Sequence, residues 1–249
     1  MYVIVIPTYN EKENVTKLIS QLDKLYGKFA TNIKVLVADD SSSDGTRRVV
    51  EAFVNRRKPK LTVNVITKAE KTDLGEAYLN AFRHLLKNEP KLKGVIQMDA
   101  DLSHDPKYVA QHLTHLQDGH DLSVGSRYVR GGDVRNWHLG KHFLSRSGNT
   151  INRIILSKQL RDYTGGFNGL SKRALQYITK PDMITSKGYH FQVELKYRLI
   201  NSGKFKVHEF PITFTERIAG TSKMRLDNLL ISFRQLLGIR LRKIDLSGA

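Results

Sequence analysis

The chain has 249 residues, enough for one large α/β domain or two small ones, and 40% of them are hydrophobic, which suffices for a proper core. It contains no cysteine, so disulfides, thiolate metal sites and cysteine nucleophiles are all excluded. Its net charge of +17, from 41 Lys+Arg against 24 Asp+Glu, predicts an anionic partner: nucleic acid, anionic lipid or a phosphorylated substrate. No apolar window approaches the roughly 20 residues that span a bilayer, so we expect a soluble or peripheral protein.

Strands and helices alternate in the first part of the chain. The apolar segments that predict strands are Tyr2–Ile6, Ile33–Ala38, Leu61–Thr67 and Gly94–Met98. Apolar residues at helical spacing follow each of the first three, as in Leu74–Leu86. This order predicts an α/β fold, a Rossmann-like and mostly parallel sheet with helices on both faces. Acidic and small polar residues follow the first, second and fourth strands, and these loops open on one edge, where such sheets bind nucleotides.

Two carboxylates, Asp99 and Asp101, come directly after the fourth predicted strand. Extended geometry would put both on one side of the backbone, at the carboxyl end of the strand. Oxygen ligands without adjacent histidine or cysteine suit a hard cation, Mg²⁺ or Mn²⁺, which completes its shell with water and substrate phosphate. The alternative is a strand-to-helix turn with a capping Asp, but Asp105, directly before Pro106, fills that capping role better.

The second half of the chain is more basic. Residues 127–161 contain eight Lys/Arg against one acid, Asp133, which suggests a metal and cationic side chains holding one polyanion from two sides. The paired Gly165 and Gly166 predict a loop whose backbone closely approaches a ligand. We also predict helices at Val109–Leu116, Phe143–Leu156 and Tyr189–Ile200, and strands at Asp121–Gly125 and Lys206–Thr213, the last at an edge because it contains Pro211.

The final segment, Arg225–Ile244, has a helical stripe of apolar residues with arginines among or beside them. One interpretation is a helix packed on its own domain. The other is an interfacial helix that lies on an anionic membrane or against a membrane subunit. We therefore expect a main domain over residues 1–224 and an amphipathic basic helix over 225–249. The nine histidines are not spaced as a metal cluster, and we expect most of them on the polar surface.

Six motifs occur in the order of a known family: Pro7–Glu11, Asp39–Thr46, Met98–His104, Gly125–Tyr128, Ser186–Gln192, and Glu216-Arg217 followed by Gly220–Lys223. With these motifs the chain resembles the family 2 glycosyltransferases of the GT-A fold, and among them the dolichol-phosphate mannose synthases. The motifs extend over residues 2–223, and six in register are far more specific than any one of them. The resemblance implies that residues 1–224 are a GT-A catalytic domain.

The resemblance also implies a GDP-mannose donor, a polyprenyl (dolichyl) phosphate acceptor and inversion at the anomeric carbon. It assigns the nucleoside pocket to Pro7, Tyr9 and Glu11, base or ribose contacts to Ala38 and Asp40, and donor and metal contacts to Asp99, the Ala100 backbone and Asp101. It assigns the phosphates of donor and acceptor to Arg127, Arg217 and Lys223. Arg127 joins Asp99 and Asp101 as a catalytic residue, because a metal and arginines stabilise the negative charge of the leaving group.

Two positions depart from the family pattern. Some relatives have a glutamine metal ligand where this chain has Ser103, so water is an alternative ligand there. Relatives can carry an arginine on the helix after the Gly-Gly turn, and alignment puts Lys141 at that position, as a phosphate-binding residue. The resemblance further implies an enzyme at the cytoplasmic face of a membrane, peripheral, with a membrane-anchoring subunit as a further partner.

Three other functions are open to the same residues. A polyprenyl-phosphate glucosyltransferase that uses UDP-glucose would have nearly the same metal and phosphate motifs. A processive polysaccharide synthase is disfavoured, because the single tryptophan, Trp137, is not in a Gln-x-x-Arg-Trp motif. A nucleic-acid-binding protein would fit the net charge, but the acids converging on one sheet edge would repel a phosphate backbone, so we expect no nucleic acid partner.

Overall fold

A computed structural model describes residues 1–188, 190–216 and 229–242. The strands are β1 Tyr2–Thr8, β2 Ile33–Asp39, β3 Thr62–Thr67, β4 Gly94–Gln97, β5 Leu122–Ser126, β6 Asp133–Arg135, β7 Asn168–Ser171, β8 Val207–Pro211 and β9 Thr213–Thr215. The helices are α1 Val15–Tyr26, α2 Thr46–Arg57, α3 Leu74–Asn88, α4 Val109–Gln117, α5 Leu139–Ile155, α6 Lys172–Ile178, α7 His190–Asn201 and α8 Leu229–Leu241.

Seven strands form one sheet in the order β3-β2-β1-β4-β7-β5-β8. Neighbouring strands are parallel except at β7, which is antiparallel to both β4 and β5. The predicted α/β fold with a mostly parallel sheet is therefore confirmed, and β8, which contains Pro211, is an edge strand as expected. A small second sheet pairs β6 with β9.

Helices cover both faces of the sheet, and each face has its own hydrophobic core. Alternation along β1 sends Val3 and Val5 into one core and Ile4 and Ile6 into the other, since successive side chains of a strand point to opposite faces. Helices α3, α6 and α7 supply the first core, and α1, α2 and α4 supply the second. Burial on both faces explains why β1 is apolar throughout.

Four short elements were not predicted: β6, β7, β9 and α6. Strand β7 contains Asn168 and Gly169 and has weak strand propensity, so only its two neighbours in the sheet make it a strand. Helix α5 begins at Leu139, earlier than the predicted Phe143, and strand β4 ends at Gln97, one residue earlier than predicted. The differences in α5 and β4 fall at the ends of the elements, where a hydrophobic pattern gives the least information about secondary structure.

Helix α8 packs on its own domain through one face and exposes the other. Leu236 and Ile239 are buried in the first core, and the helix contacts α5 and α7. Arg240 donates to the Tyr197 hydroxyl at 2.8 Å, which anchors the helix to α7. Phe233, Leu237 and Leu241 are exposed. The expected boundary between residues 224 and 225 lies outside the described residues. Within the described part of the chain, no helix combines the length and hydropathy that a membrane span requires.

Candidate active site

The ends of β1, β2 and β4 meet at one edge of the sheet. Pro7 lies opposite Ala38, and Thr8 opposite Asp39, in the parallel register of β1 and β2. On the other side of β1, the Met98 amide donates to Val5 at 3.1 Å and carries the chain to the Asp99 turn. The expected convergence of the three loops is therefore confirmed. Their polar side chains face the position where an open α/β sheet binds ligands.

A cleft of about 280 Å³ lies at the carboxyl ends of β2 and β3. It is lined by Ala38, Asp39, Asp40, Ile66, Thr67, Lys68, Ala77 and Asn80. Asp40 is buried and accepts from the Thr72 amide at 2.9 Å and from the Thr72 hydroxyl at 2.8 Å. Its carboxylate is thus held in one orientation before any ligand arrives. The cleft brings together the two residues expected to contact a base or ribose, Ala38 and Asp40.

The loops after β1 and β2 are tied to each other by side-chain hydrogen bonds. Asn10 accepts from the amides of Ser43 and Asp44, and the Glu11 amide donates to the Thr46 hydroxyl at 3.0 Å. Tyr9 lies in the same loop, with the Lys71 ammonium 3.8 Å from its ring centroid. The residues expected to line a nucleoside pocket, Pro7, Tyr9 and Glu11, are therefore in one connected loop system; their contacts with a nucleoside stay a prediction.

Asp99, Ala100 and Asp101 lie in the turn that follows β4, so the extended geometry predicted for the two acids is wrong. The turn is closed by Ser103, whose amide and hydroxyl donate to one Asp101 oxygen at 3.1 and 2.5 Å. Leu102 has a φ of 64°, a left-handed conformation that a bulky residue adopts only when the surroundings impose it. Ser103 thus holds Asp101, and its direct ligation of a metal stays a prediction.

His104 supports the same turn from behind. It is buried and stacks on Phe167 with ring centroids 4.7 Å apart. Its Nδ1 accepts from the Asp99 amide at 3.2 Å, so the neutral ring carries its proton on Nε2, which lies 3.9 Å from Asp99 Oδ2. Burial lowers the pKa of His104, so the ring is neutral near pH 7. The turn is therefore held at the Asp101 carboxylate by Ser103 and at the Asp99 amide by His104.

The chemistry of these donors fits a hard divalent cation. Carboxylate oxygens are the ligands that Mg²⁺ and Mn²⁺ prefer, and both ions are commonly held by one or two carboxylates with water and substrate phosphate. Among the described residues no group of three or more His, Asp or Glu side chains could hold an ion without such additional ligands. Asp99 and Asp101 would therefore hold a metal together with an anionic substrate.

Arg127 and Asp162 form a buried ion pair beside this turn. Arg127 Nε donates to Asp162 Oδ2 at 2.8 Å and Nη2 to Oδ1 at 2.7 Å, the bidentate geometry of a strong charge-assisted pair. Nη2 also donates to the Thr164 hydroxyl at 2.8 Å. The pair holds the pKa of Asp162 far below its usual range and raises that of Arg127. Asp99 also raises the pKa of Arg127, so the guanidinium acts electrostatically on the carboxylate turn.

Lys141 and Arg127 both approach the ring of Trp137. The Lys141 ammonium is 4.8 Å and the Arg127 guanidinium 5.6 Å from the tryptophan ring centroids. Lys141 also forms an ion pair with Glu216. Two of the expected phosphate-binding residues, Arg127 and Lys141, are therefore close together. The other two, Arg217 and Lys223, lie outside the described residues.

Three residues of this region were not predicted from the sequence: Asp162; His104, which supports the Asp99 turn; and Trp137, whose ring lies near the cations of Lys141 and Arg127. Asp162 did carry a signal, because it is the one acid between Asp133 and Asp182 in a basic stretch. Most histidines lie at the surface, as expected: five are half-buried, His84 and His138 are exposed, and only His104 and His112 are buried. The buried histidines are surrounded by phenylalanines that come from distant strands.

The comparisons with known proteins agree with this architecture. Residues 3–179 match the model of "Glycosyl transferase family 2". A polyprenol monophosphomannose synthase of Mycolicibacterium smegmatis is 38% identical over 91% of this chain and 82% of its own. An undecaprenyl-phosphate mannosyltransferase of Micrococcus luteus is 37% identical over 88% of this chain and 86% of its own.

Among solved structures, a glucosyl-3-phosphoglycerate synthase of Mycobacterium tuberculosis in complex with Mn²⁺, uridine diphosphate and glucosyl-3-phosphoglycerate superimposes with a TM-score of 0.65. It is 16% identical, and the match covers 96% of this chain and 78% of that one, so this likeness concerns the fold, which is of the GT-A type. The matched family model and the two mannosyltransferase relatives extend over most of the sequence. This chain is a member of glycosyl transferase family 2.

Proposed function

We propose that the protein transfers mannose from GDP-mannose to a polyprenyl phosphate and forms polyprenyl-phosphate mannose with inversion at the anomeric carbon. The observation that carries the proposal is the Asp99–Asp101 turn, held by Ser103, which lies between the cleft at Ala38 and Asp40 on one side and the Arg127 guanidinium on the other. The names of the two curated relatives, both mannosyltransferases of polyprenyl phosphates, support the choice of sugar and acceptor.

The donor binds along the edge formed by β1, β2 and β4. Its base and ribose occupy the cleft at Ala38 and Asp40, with Pro7, Tyr9 and Glu11 in the adjoining loop. Its diphosphate lies at Asp99, the Ala100 backbone and Asp101. Asp99 and Asp101 would hold a Mg²⁺ or Mn²⁺ ion there, which would supply Lewis-acid neutralisation of the diphosphate charge.

The acceptor phosphate approaches from the side of Arg127 and Lys141. One of its oxygens forms the new bond to the anomeric carbon, and the bond from that carbon to the diphosphate breaks, so the electron pair leaves with the nucleoside diphosphate. Because the acceptor is already an anion, the reaction needs no strong general base. Arg127 stabilises the growing negative charge, since Nε and Nη2 are fixed by Asp162 and no described residue accepts from Nη1.

The acceptor is a lipid, so the protein works at a membrane surface. Helix α5 supplies such a surface: Leu139, Phe143 and Ile154 lie on one face and are 88%, 75% and 73% exposed. Arg146 is exposed on the same helix, which suits anionic lipid headgroups. Helix α8, which contacts α5, adds the exposed Phe233, Leu237 and Leu241. A membrane-anchoring subunit and the cytoplasmic face of the membrane are part of the same proposal.

A transfer assay tests the donor, the acceptor and the carboxylate site together. Purified protein receives radiolabelled GDP-mannose or UDP-glucose, a polyprenyl phosphate in detergent, and Mg²⁺ or Mn²⁺. We expect label to enter the lipid phase from GDP-mannose but not from UDP-glucose. The Asp101→Asn variant should transfer no label. Asp105→Asn is the matched control, because it removes an exposed carboxylate from the same loop and asparagine caps the following turn equally well.

If label enters the lipid phase only from UDP-glucose, the transferred sugar is glucose instead of mannose, and the fold and the reaction class are unchanged. Label in neither case, with or without added membranes to supply a partner subunit, would contradict the polyprenyl-phosphate acceptor. Equal activity of Asp101→Asn and Asp105→Asn would contradict the role of the carboxylate turn.

A further inference from the structure

A lysine is buried behind the loop that separates Arg127 from Asp99. Lys196 of α7 has no exposed surface. Its ammonium donates to the backbone carbonyls of Asp162 at 2.9 Å, Tyr163 at 3.1 Å and Gly165 at 2.7 Å. All three donors of the ammonium are therefore used, and all three acceptors belong to one short segment of the chain. We call residues 162–166 the hinge loop of the site.

The other side of the hinge loop contacts the site itself. The Asp162 carboxylate receives the Arg127 guanidinium, and the Thr164 hydroxyl accepts from the same side chain at 2.8 Å. Gly166 lies against Asp99, since a Cβ built on it would be 3.4 Å from Asp99 Oδ2. The hinge loop thus joins Lys196 on one side to Arg127 and Asp99 on the other.

A lysine is energetically unfavourable at this buried position. A buried ammonium loses its hydration, and an apolar side chain of similar volume would avoid that loss. Three carbonyls from neighbouring residues converge on one point only if a cation or several donors neutralise them. Lys196 therefore selects one conformation of the hinge loop, which an apolar residue would not do.

The charges around the ammonium keep it protonated near neutral pH. Burial lowers the pKa of Lys196 to about 8, with Asp162 and Glu209 acting in the opposite direction and Arg127 adding to the effect of burial. Lys196 and Arg127 together place two positive charges around the single carboxylate of Asp162. With Glu209 as the second acid these charges are balanced, and both cations lie next to the place where an anionic donor and an anionic acceptor must meet.

We propose that Lys196 is a positioning residue for sugar transfer. It fixes the hinge loop so that Arg127 and Asp99 both face the donor diphosphate. This inference rests on the proposed function, because it takes the donor and the acceptor from there. The contacts of Lys196 do not depend on that function. The inference concerns a residue that touches neither substrate and acts through backbone carbonyls.

Lys196→Met tests the inference, with Lys204→Met, an exposed lysine, as the matched control. We expect Lys196→Met to lower kcat by about tenfold or more, because small misplacements of reacting groups are expensive, while KM for the donor changes far less. Lys196→Arg, which keeps the charge, should recover part of kcat. In the wild type kcat should fall above about pH 8, as Lys196 loses its proton, and this fall should be absent in Lys196→Met.

A second readout does not depend on the acceptor. Binding of Mn²⁺ with GDP or UDP, followed by the electron paramagnetic resonance of the ion, should be weaker in Lys196→Met than in Lys204→Met. If the wild type transfers no sugar, the proposed function fails and this binding comparison still decides the inference. Unchanged kcat and unchanged binding in a folded Lys196→Met would overturn it. If that variant does not fold, a wild-type kcat that stays constant to well above pH 8 would do the same.

Discussion

Arg127 holds Asp162 in the fold, and its proposed role in sugar transfer can be tested separately from that contact. Removal of its charge leaves the buried Asp162 carboxylate with Lys196 as its remaining cationic neighbour, so Arg127→Met should lower the free energy of unfolding by about 3–5 kcal/mol. The double variant Arg127→Met/Asp162→Asn removes both charges and should recover most of that loss in urea unfolding. Its transfer activity should stay absent. Recovery of activity along with stability would show that Arg127 only holds the loop.

A buried histidine makes stability depend on pH. His112 lies between Phe167 and Phe210, bonds to the Ser123 hydroxyl, and burial lowers its pKa well below the usual value. The unfolded chain therefore binds a proton before the folded chain does. Above the unfolded pKa of about 6.5, His112 does not change the free energy of unfolding with pH. Below that pH, the free energy of unfolding falls by about 1.4 kcal/mol per pH unit for this one proton.

His112→Phe should remove that part of the dependence. We expect a shallower decline of the unfolding free energy between the unfolded pKa and more acidic pH, measured by urea unfolding at a series of pH values. His115 and His208, whose pKa values are also lowered by burial, keep the remaining slope. Replacement of the exposed His138 by Asn serves as the control and should leave the profile unchanged. An identical slope in His112→Phe and wild type would contradict the assignment.

At the scale of elements, α5 is the part of the molecule best suited to meet a lipid surface. Phe143→Ser combined with Ile154→Ser should reduce binding to anionic vesicles in a sedimentation assay, because both side chains are largely exposed and their removal costs little stability. Phe29→Ser removes an exposed phenylalanine near α1 and should bind as the wild type does. Equal loss in the control would indicate non-specific adhesion.

The C-terminal arginines are less suitable for such a test than their sequence suggests. Arg242 donates to the buried Glu194 at 2.8 Å and to the Met183 carbonyl at 2.7 Å, and Arg240 to Tyr197. Charge reversal at these positions would break contacts of the fold as well as contacts with lipid. Arg240 and Arg242 are thus held by contacts of the fold, and Lys243 lies outside the described residues.

At the scale of the whole molecule, the fold should not depend on a bound metal. The Asp99–Asp101 turn is held by Ser103 and His104, and both cores form without it. Chelation with EDTA should therefore abolish sugar transfer and leave the far-ultraviolet circular dichroism and the midpoint of thermal unfolding nearly unchanged. Added Mg²⁺ or Mn²⁺ should restore the activity. A large fall in the unfolding midpoint on chelation would assign the ion a structural role.

The sheet, and the edge at which its polar loops meet, could be predicted from the sequence alone. Strands β1, β2 and β4 are buried on both faces, so they read as continuous apolar runs, and the polar residues after them had to meet at one edge. The carboxylates Asp99 and Asp101 and the capping Asp105 were recognisable because their roles depend on neighbours within a few residues.

Only the tertiary structure decided what surrounds the site. Arg127 meets Asp162 and Lys196 meets the hinge loop across more than thirty positions of the sequence, and β7 is a strand only because β4 and β5 flank it. His104 and His112 are buried by phenylalanines from other elements. Such contacts leave no periodic signal, since the free energy of a buried polar group depends on the partner that the fold brings to it.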